Sequence, residues 1–316
     1  MQLAKDCRKV YNLLKKRFFL LKKKEECIII LLTTVKRGIC RMEKSGRKTA
    51  FIGVGNIAGA VIGGLTGSKF LSYEDIILYD TDTSKYSKYA NFPVHTASSI
   101  TEAVSMADYV FLALKPAHIK GALLSIDLSS VSLSGKVFIS VAASVSTDYI
   151  CSCLKEKVPV VRVMPNTPML IGEGAVAICK NSFVTKKQFE FVCLMFSKLA
   201  VVSAMEEEKM NTVIAVNGSS PAYVYLFVKA MLDGAKEQGI PEEAAYPLIL
   251  QTVIGSVKML EHTKKTPDEL ISVVTSPNGT TLAAMEKLYG MGFENVVKAA
   301  MQACTDRANE IATELP

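Results

Sequence analysis

TAFIGVGNIAGAVIGG, residues 49–64, decides how the rest of the chain is read. A short apolar strand runs into a glycine turn and then into a helix. Gly53-x-Gly55-x-x-Ala58 has the spacing of a dinucleotide-binding turn. Gly53 permits the tight bend, Gly55 lets the backbone come close to a pyrophosphate, and Ala58 is small enough for the helix to lie against the strand. The unpaired amides at the helix start face the anion. A plain strand-turn-helix shares this pattern, so the wider context has to favour the nucleotide. It does so through a second strand, Ile76-Ile77-Leu78-Tyr79, which ends in Asp80 where a ribose-binding acid is expected.

Outward from that turn, apolar strands alternate with helical stretches up to about residue 203, the pattern of a parallel sheet covered on both faces. Strands are expected at residues 50–53, 76–79, 109–114, 137–141 and 158–163, with further extended pieces at 175–179 and 200–202. Three of them end in punctuated turns: Leu114-Lys115-Pro116, Val141-Ala142-Ala143-Ser144 and Met164-Pro165-Asn166-Thr167-Pro168. The carboxyl ends of strands in an open sheet form the ligand crevice, so these turns should line it.

After Met205-Glu206-Glu207-Glu208 the pattern is helical to the end. Gly218-Ser219-Ser220-Pro221 opens a long apolar helix reaching about Gln238, Gly239 closes it, and Pro241-Glu242-Glu243 starts the next with acids at its positive end. So much apolar helix surface in so short a segment calls for a second copy, and a homodimer is expected. Thr275-Ser276-Pro277-Asn278-Gly279-Thr280-Thr281 leads into a helix over residues 282–289. Hydroxyls, unpaired amides and the positive end of a helix dipole meet there, which suits a small anion, although a capped helix after a proline turn reads the same way.

The chain has 316 residues, 49% of them hydrophobic, enough for two domains. Its net charge of +7 would suggest nucleic acid or an anionic membrane, but residues 1–48 carry 15 Lys/Arg against 4 Asp/Glu, a local +11 that leaves the remainder at −4. The basic character belongs to a leader, and neither kind of partner is expected. That leader holds only a short apolar run, Ile28-Ile29-Ile30-Leu31-Leu32, too short to span a bilayer and without a cleavage site. An amphipathic surface arm is one reading of it. We expect residues 1–41 to be a dispensable tail or sequence upstream of a native start at Met42. The domains are then 1–48, a basic leader that is disordered or not native; 49–205, the dinucleotide-binding domain; and 206–316, the helical domain. The eight cysteines form no Cys-x-x-Cys pair, and with three histidines no metal site is expected. Scattered thiols fit a cytoplasmic protein.

Gly53-x-Gly55-x-x-Ala58, Leu114-Lys115-Pro116, Val141-Ala142-Ala143, Met164-Pro165-Asn166-Thr167-Pro168, Gly218-Ser219-Ser220-Pro221-Ala222-Tyr223 and Ser276-Pro277-Asn278-Gly279-Thr280-Thr281 resemble, in order and spacing, the motifs of pyrroline-5-carboxylate reductases. The likeness runs from about residue 49 to 312. It implies an α/β fold, with an N-terminal Rossmann-type doubly wound sheet followed by an all-helical C-terminal dimerisation domain. It also implies reduction of 1-pyrroline-5-carboxylate to L-proline by hydride transfer from NAD(P)H, the last step of proline biosynthesis. By the same resemblance Gly53, Gly55, Asn56, Ile57 and Ala58 hold the pyrophosphate, and Leu114, Lys115, Pro116, Ala142 and Ala143 meet the nicotinamide side. Ser276, Gly279, Thr280 and Thr281 receive the imino acid's carboxylate and ring nitrogen, reaching the cofactor domain of the dimer partner. The substrate and cofactor already carry the reactive groups, so no His-Asp pair is needed, and Thr281 is the candidate catalytic hydroxyl.

Two residues depart from the family pattern. Asn278 stands in place of a glycine, and asparagine tolerates a positive φ there. Asp80 stands where hydroxyl or small residues are common in the family. A carboxylate repels a 2′-phosphate, so NADH should be preferred over NADPH, although Thr81, Thr83, Ser84 and Lys85 lie within reach of such a phosphate. Two rivals are weighed. One is a β-hydroxyacid dehydrogenase using Lys229, which is disfavoured because the asparagine expected one turn later is Asp233. The other is a non-catalytic NAD(P)-binding regulator using the leader. Tyr223 and Tyr225 read as core or interface residues, and His95 and His118 as loop or helix-start residues without chemistry. Assembly beyond the dimer stays open.

Overall fold

The computed structural model describes residues 46–315, and the readings made for residues 1–45 lie outside them. The first half alternates strands and helices: β1 (Thr49–Ile52), α1 (Asn56–Gly67), β2 (Ile76–Tyr79), β3 (His95–Thr96), α2 (Ile100–Met106), β4 (Tyr109–Leu112), α3 (Pro116–Leu124), β5 (Val137–Ser140), α4 (Thr147–Leu154), β6 (Val160–Met164), β7 (Gly174–Lys180), α5 (Lys186–Ser197) and β8 (Ala200–Ala204). They form an eight-stranded sheet in the order β3-β2-β1-β4-β5-β6-β7-β8.

Both faces of this sheet are covered, which is why its strands are continuous apolar runs rather than alternating ones. Phe51, Phe111, Ile139 and Val161 point to one face, where Val61, Ile62 and Leu65 of α1 and Val192 and Phe196 of α5 meet them. Ala50, Ile52, Val110, Leu112 and Phe138 point to the other, against α2, α3 and α4. Phe111 is the centre of the first layer, its ring 5.1 Å from Phe51 and 6.1 Å from Phe196. Each fully buried ring of this kind is worth about 1.5–3 kcal/mol.

One expectation is corrected. The sheet is not wholly parallel, because β7 runs antiparallel to β6. A parallel return needs a crossover of a dozen or more residues, and the nine residues 165–173 hold only a 3-10 turn, Thr167–Ile171. β8 is parallel to β7 again, joined through α5. Strand bounds also shift: β4 closes at Leu112, leaving Ala113 and Leu114 to the turn, β1 and β5 end one residue early at Ile52 and Ser140, and β6 runs Val160–Met164. His95 lies on the two-residue edge strand β3, while His118 sits in the first turn of α3.

Beyond β8, 3-10 turns at Glu207–Lys209 and Thr212–Ala215 lead to α6 (Ser220–Glu237), α7 (Glu242–Thr263), α8 (Pro267–Val274), α9 (Thr280–Gly290) and α10 (Phe293–Thr313). α7 packs on α6, α9 on α10, and α10 on the turn at Thr212–Ala215. Little apolar surface is hidden by this. α6, α8 and α9 bury no residue, α7 only Ala245 and Ile249, and α10 only Ala308. Leu226 is 67% exposed and Leu248 68%. Faces of this extent on five consecutive helices belong to an interface.

Candidate active site

The sheet order reverses between β1 and β4, so the crevice at the carboxyl ends of these strands is the topological switch point. The turns singled out in the sequence collect along this edge. After β1 comes the glycine turn. Gly53 has φ +92°, and a Cβ there would lie 2.5 Å from the Ala113 carbonyl oxygen, so the β1 and β4 turns abut through a position only glycine can fill. Gly55 is the N-cap of α1 and has open space around it, Ala58 is buried, and Asn56 and Ile57 are exposed. The first turn of α1 carries no acidic residue and no side-chain cap. Its amides are therefore free to meet an anion. The close approach that Ala58 was expected to provide is shared with Gly64, where a Cβ would collide with the Leu199 side chain.

Asp80 has a part that its spacing did not predict. Its carboxylate, only 8% exposed, accepts the Val54 N–H at 2.7 Å and the Asp82 N–H at 2.9 Å, and the Lys85 ammonium lies 3.0 Å from both oxygens. Burial pushes this carboxyl up, but the bonds from Val54, Asp82 and Lys85 together pull it down further, so it ionises below the ordinary carboxylate range. The Tyr86 hydroxyl completes the corner, accepting the Asp80 N–H at 2.7 Å. The ends of β1 and β2 are thus tied to each other. Lys85 and Tyr86 fall on the 3-10 turn Thr83–Tyr89, and no pattern in the sequence marks them as partners of Asp80.

After β4, Lys115 is exposed and caps α3 with Pro116 at its first position, while Leu114 is half-buried beside Gly53. After β5, Ala142 is buried and Ala143 half-buried. Ser144 follows in the left-handed region at φ +63°, buried to 2%, with a hydroxyl that meets no partner among the described residues. The Val145 N–H closes this turn on the Ala142 carbonyl at 3.5 Å.

The Ser276–Thr281 loop lies elsewhere, between α8 and α9. Asn278 has φ +57°, the left-handed conformation expected of it. The Gly279 N–H returns to the Ser276 carbonyl at 3.0 Å, and a Cβ on Gly279 would strike the Ser276 hydroxyl. Thr280 and Thr281 form the open first turn of α9, with Ser276 and Thr280 exposed and Thr281 half-buried. Lys229 forms an exposed ion pair with Asp233 on α6, as an ordinary helix surface does. No cluster of three or more metal-ligating side chains occurs among the described residues, and no helix among them is long and apolar enough to cross a membrane.

Residues 207–311 match the family model of pyrroline-5-carboxylate reductase dimerisation, and residues 48–144 that of NADP oxidoreductase, coenzyme F420-dependent. The pyrroline-5-carboxylate reductase of Escherichia coli (strain K12) is 34% identical over 269 residues, covering 84% of this chain and 98% of the relative. The chain belongs to the pyrroline-5-carboxylate reductase family. A solved pyrroline carboxylate reductase of Plasmodium falciparum with NADP bound superposes with a TM-score of 0.78 at 26% identity, covering 85% of this chain and all of that one. The enzyme of Coxiella burnetii does so with a TM-score of 0.77 at 30% identity, over 84% and 99% of the two chains. The exposed faces of α6 to α10 coincide with the dimerisation match, and the expected homodimer stands on it. Neither rival reading is favoured by these likenesses.

Proposed function

We propose that this chain reduces 1-pyrroline-5-carboxylate to L-proline with a reduced nicotinamide dinucleotide. The observation that carries this reading is the open glycine turn at the switch point, in a chain of this family: the Gly53 cradle is filled if any Cβ is present, and the first turn of α1 offers uncapped amides beside it. The residues fit the cofactor. Gly53, Gly55, Asn56, Ile57 and Ala58 take the pyrophosphate, and Leu114, Lys115, Pro116, Ala142 and Ala143 border the nicotinamide. When bound, the nicotinamide supplies the hydride. Ser276, Gly279 and Thr280 hold the substrate carboxylate with hydroxyls and the first amides of α9. Thr281 donates a hydrogen bond to the ring nitrogen and holds the imine in place, while the proton that completes the amine comes from solvent. The loop lies within the residues that match the dimerisation model, which supports its delivery to the partner's crevice, so that two chains build each site. Proximity and orientation then supply most of the rate.

On cofactor choice the proposal is NADH over NADPH. Asp80 is ionised just beyond the end of β2, and its carboxylate would repel a 2′-phosphate bound beside it. Lys85 is the group that opposes this preference, because its ammonium lies beside that carboxylate. On location the proposal is the cytoplasm, since Cys151, Cys153, Cys179, Cys193 and Cys304 are all free thiols. The test is oxidation of NADH and of NADPH by the purified chain with racemic 1-pyrroline-5-carboxylate. Turnover with proline as product supports the activity, and no turnover with either cofactor overturns it. A higher kcat/KM with NADPH overturns only the cofactor preference.

A further inference from the structure

Glu207 stands in the connection between the sheet and the helical domain, yet its carboxylate reaches back to the start of α4, just past the turn after β5. It accepts the Thr147 N–H at 2.7 Å and the Thr147 hydroxyl at 2.5 Å. Thr147 is the first residue of α4, 99% buried, and α4 begins directly after the turn that carries Ala142 and Ala143. A helix start leaves amides without partners, and here an acid from a distant segment satisfies one of them.

The same carboxylate faces a second buried group. Arg162 of β6 is 5% exposed, and its guanidinium lies 3.8 Å from Glu207 while donating to the Asn211 side chain at 2.6 Å. Asn211 in turn donates to Asn309 of α10 at 3.0 Å. A continuous polar chain therefore runs from the turn after β5, through the interdomain connection and β6, to the last helix. Arg162 is buried on all sides, so breaking its contacts costs far more than breaking a surface pair. A tilt of the last helix against the sheet would strain the Asn211–Asn309 bond at the end of this chain.

We propose that Glu207 is a positioning residue for hydride transfer: by clamping Thr147 and engaging Arg162 it fixes the nicotinamide-side turn relative to this chain's own helical domain, and so, across the dimer seam, relative to the partner's substrate loop that enters the same crevice. This rests on the reading that Ala142 and Ala143 border the nicotinamide. A misplacement of about 1 Å between reacting groups can cost on the order of a hundredfold in rate, so a fixed interdomain angle has catalytic consequence although Glu207 touches neither reactant.

The test is steady-state kinetics of Glu207→Gln with protiated and 4-deuterated cofactor, together with cofactor binding and thermal melts. The expected result is a fall in kcat of about tenfold, cofactor affinity within about twofold of the parent, and a larger deuterium isotope effect because hydride transfer has become the slow step. An unchanged kcat, or a lowered kcat with an unchanged isotope effect, overturns the proposal, since a merely structural role lowers the melting temperature without touching the isotope effect. Thr147→Val and Thr147→Ser repeat the test should Glu207→Gln not fold. Valine should reproduce the defect and serine should restore the parent behaviour, and equal behaviour of the two overturns the proposal. Absence of imine reduction in the parent chain itself would instead overturn the function proposed above.

Discussion

The Val54 N–H donates to the Asp80 carboxylate at 2.7 Å, so the glycine turn after β1 is held in shape by the residue that follows β2. Asp80 ionises below the ordinary carboxylate range in the folded protein. A depressed folded value stabilises the fold fully above the unfolded value and loses that contribution as pH falls through the folded one. Asp80→Asn should therefore cost about 1–2 kcal/mol at neutral pH, a difference that shrinks below about pH 4 as the parent carboxylate is protonated. Urea melts of both proteins across an acid series check this, and a pH-independent difference would contradict it.

Ser144 is strained without any return from its hydroxyl. Its φ of +63° is the conformation glycine adopts freely, and its buried oxygen meets no partner among the described residues. The left-handed region costs a non-glycine residue about 1–2 kcal/mol, whereas glycine loses roughly 0.5–1 kcal/mol more chain entropy on folding. Ser144→Gly should thus stabilise the protein by about 1 kcal/mol and raise its melting temperature by about 2–4 °C. A lower melting temperature would mean that the hydroxyl has a partner in the working protein.

The elements around the glycine turn were legible because each rests on a local rule. Gly53 marks a bend no other residue can make, and runs such as Val137-Phe138-Ile139 are apolar throughout because both faces of the sheet are covered. Asn278 was legible as a positive-φ residue for the same local reason. Ser144 was not, since serine carries no mark of that conformation. The reversal of β7 could have been read from the nine residues before it, which are too few for a parallel return. The partners of Asp80 and Glu207 could not, because they are set by how distant segments pack.

The thiols divide by burial. Burial pushes Cys179 up to about 12, with Glu207 adding to it, and Cys193 up to about 11, with Glu190 adding to it. The thiolate is the reactive form, so at pH 8 neither should react with iodoacetamide in the folded protein. Peptide mapping after labelling should find both modified only once urea has unfolded the chain. Modification of Cys179 in the folded state would show that the connection around Glu207 opens readily.

Thr281 is the second residue of α9, half-buried, and its hydroxyl makes no hydrogen bond among the described residues. A threonine there contributes little to the helix, because its position leaves the hydroxyl unpaired and its β-branch is neutral at best. Thr281→Ala should for this reason leave the melting temperature within the error of measurement. If the hydroxyl donates to the ring nitrogen, the same change removes a bond to the reacting group and should lower kcat by about 10- to 100-fold. Thr281→Ser keeps the donor and should retain most of the activity, which separates loss of the hydroxyl from loss of the methyl. Turnover by the alanine variant equal to that of the parent would remove Thr281 from the mechanism and leave the carboxylate-holding groups, Ser276, Gly279 and Thr280, with positioning as the whole of the protein's contribution.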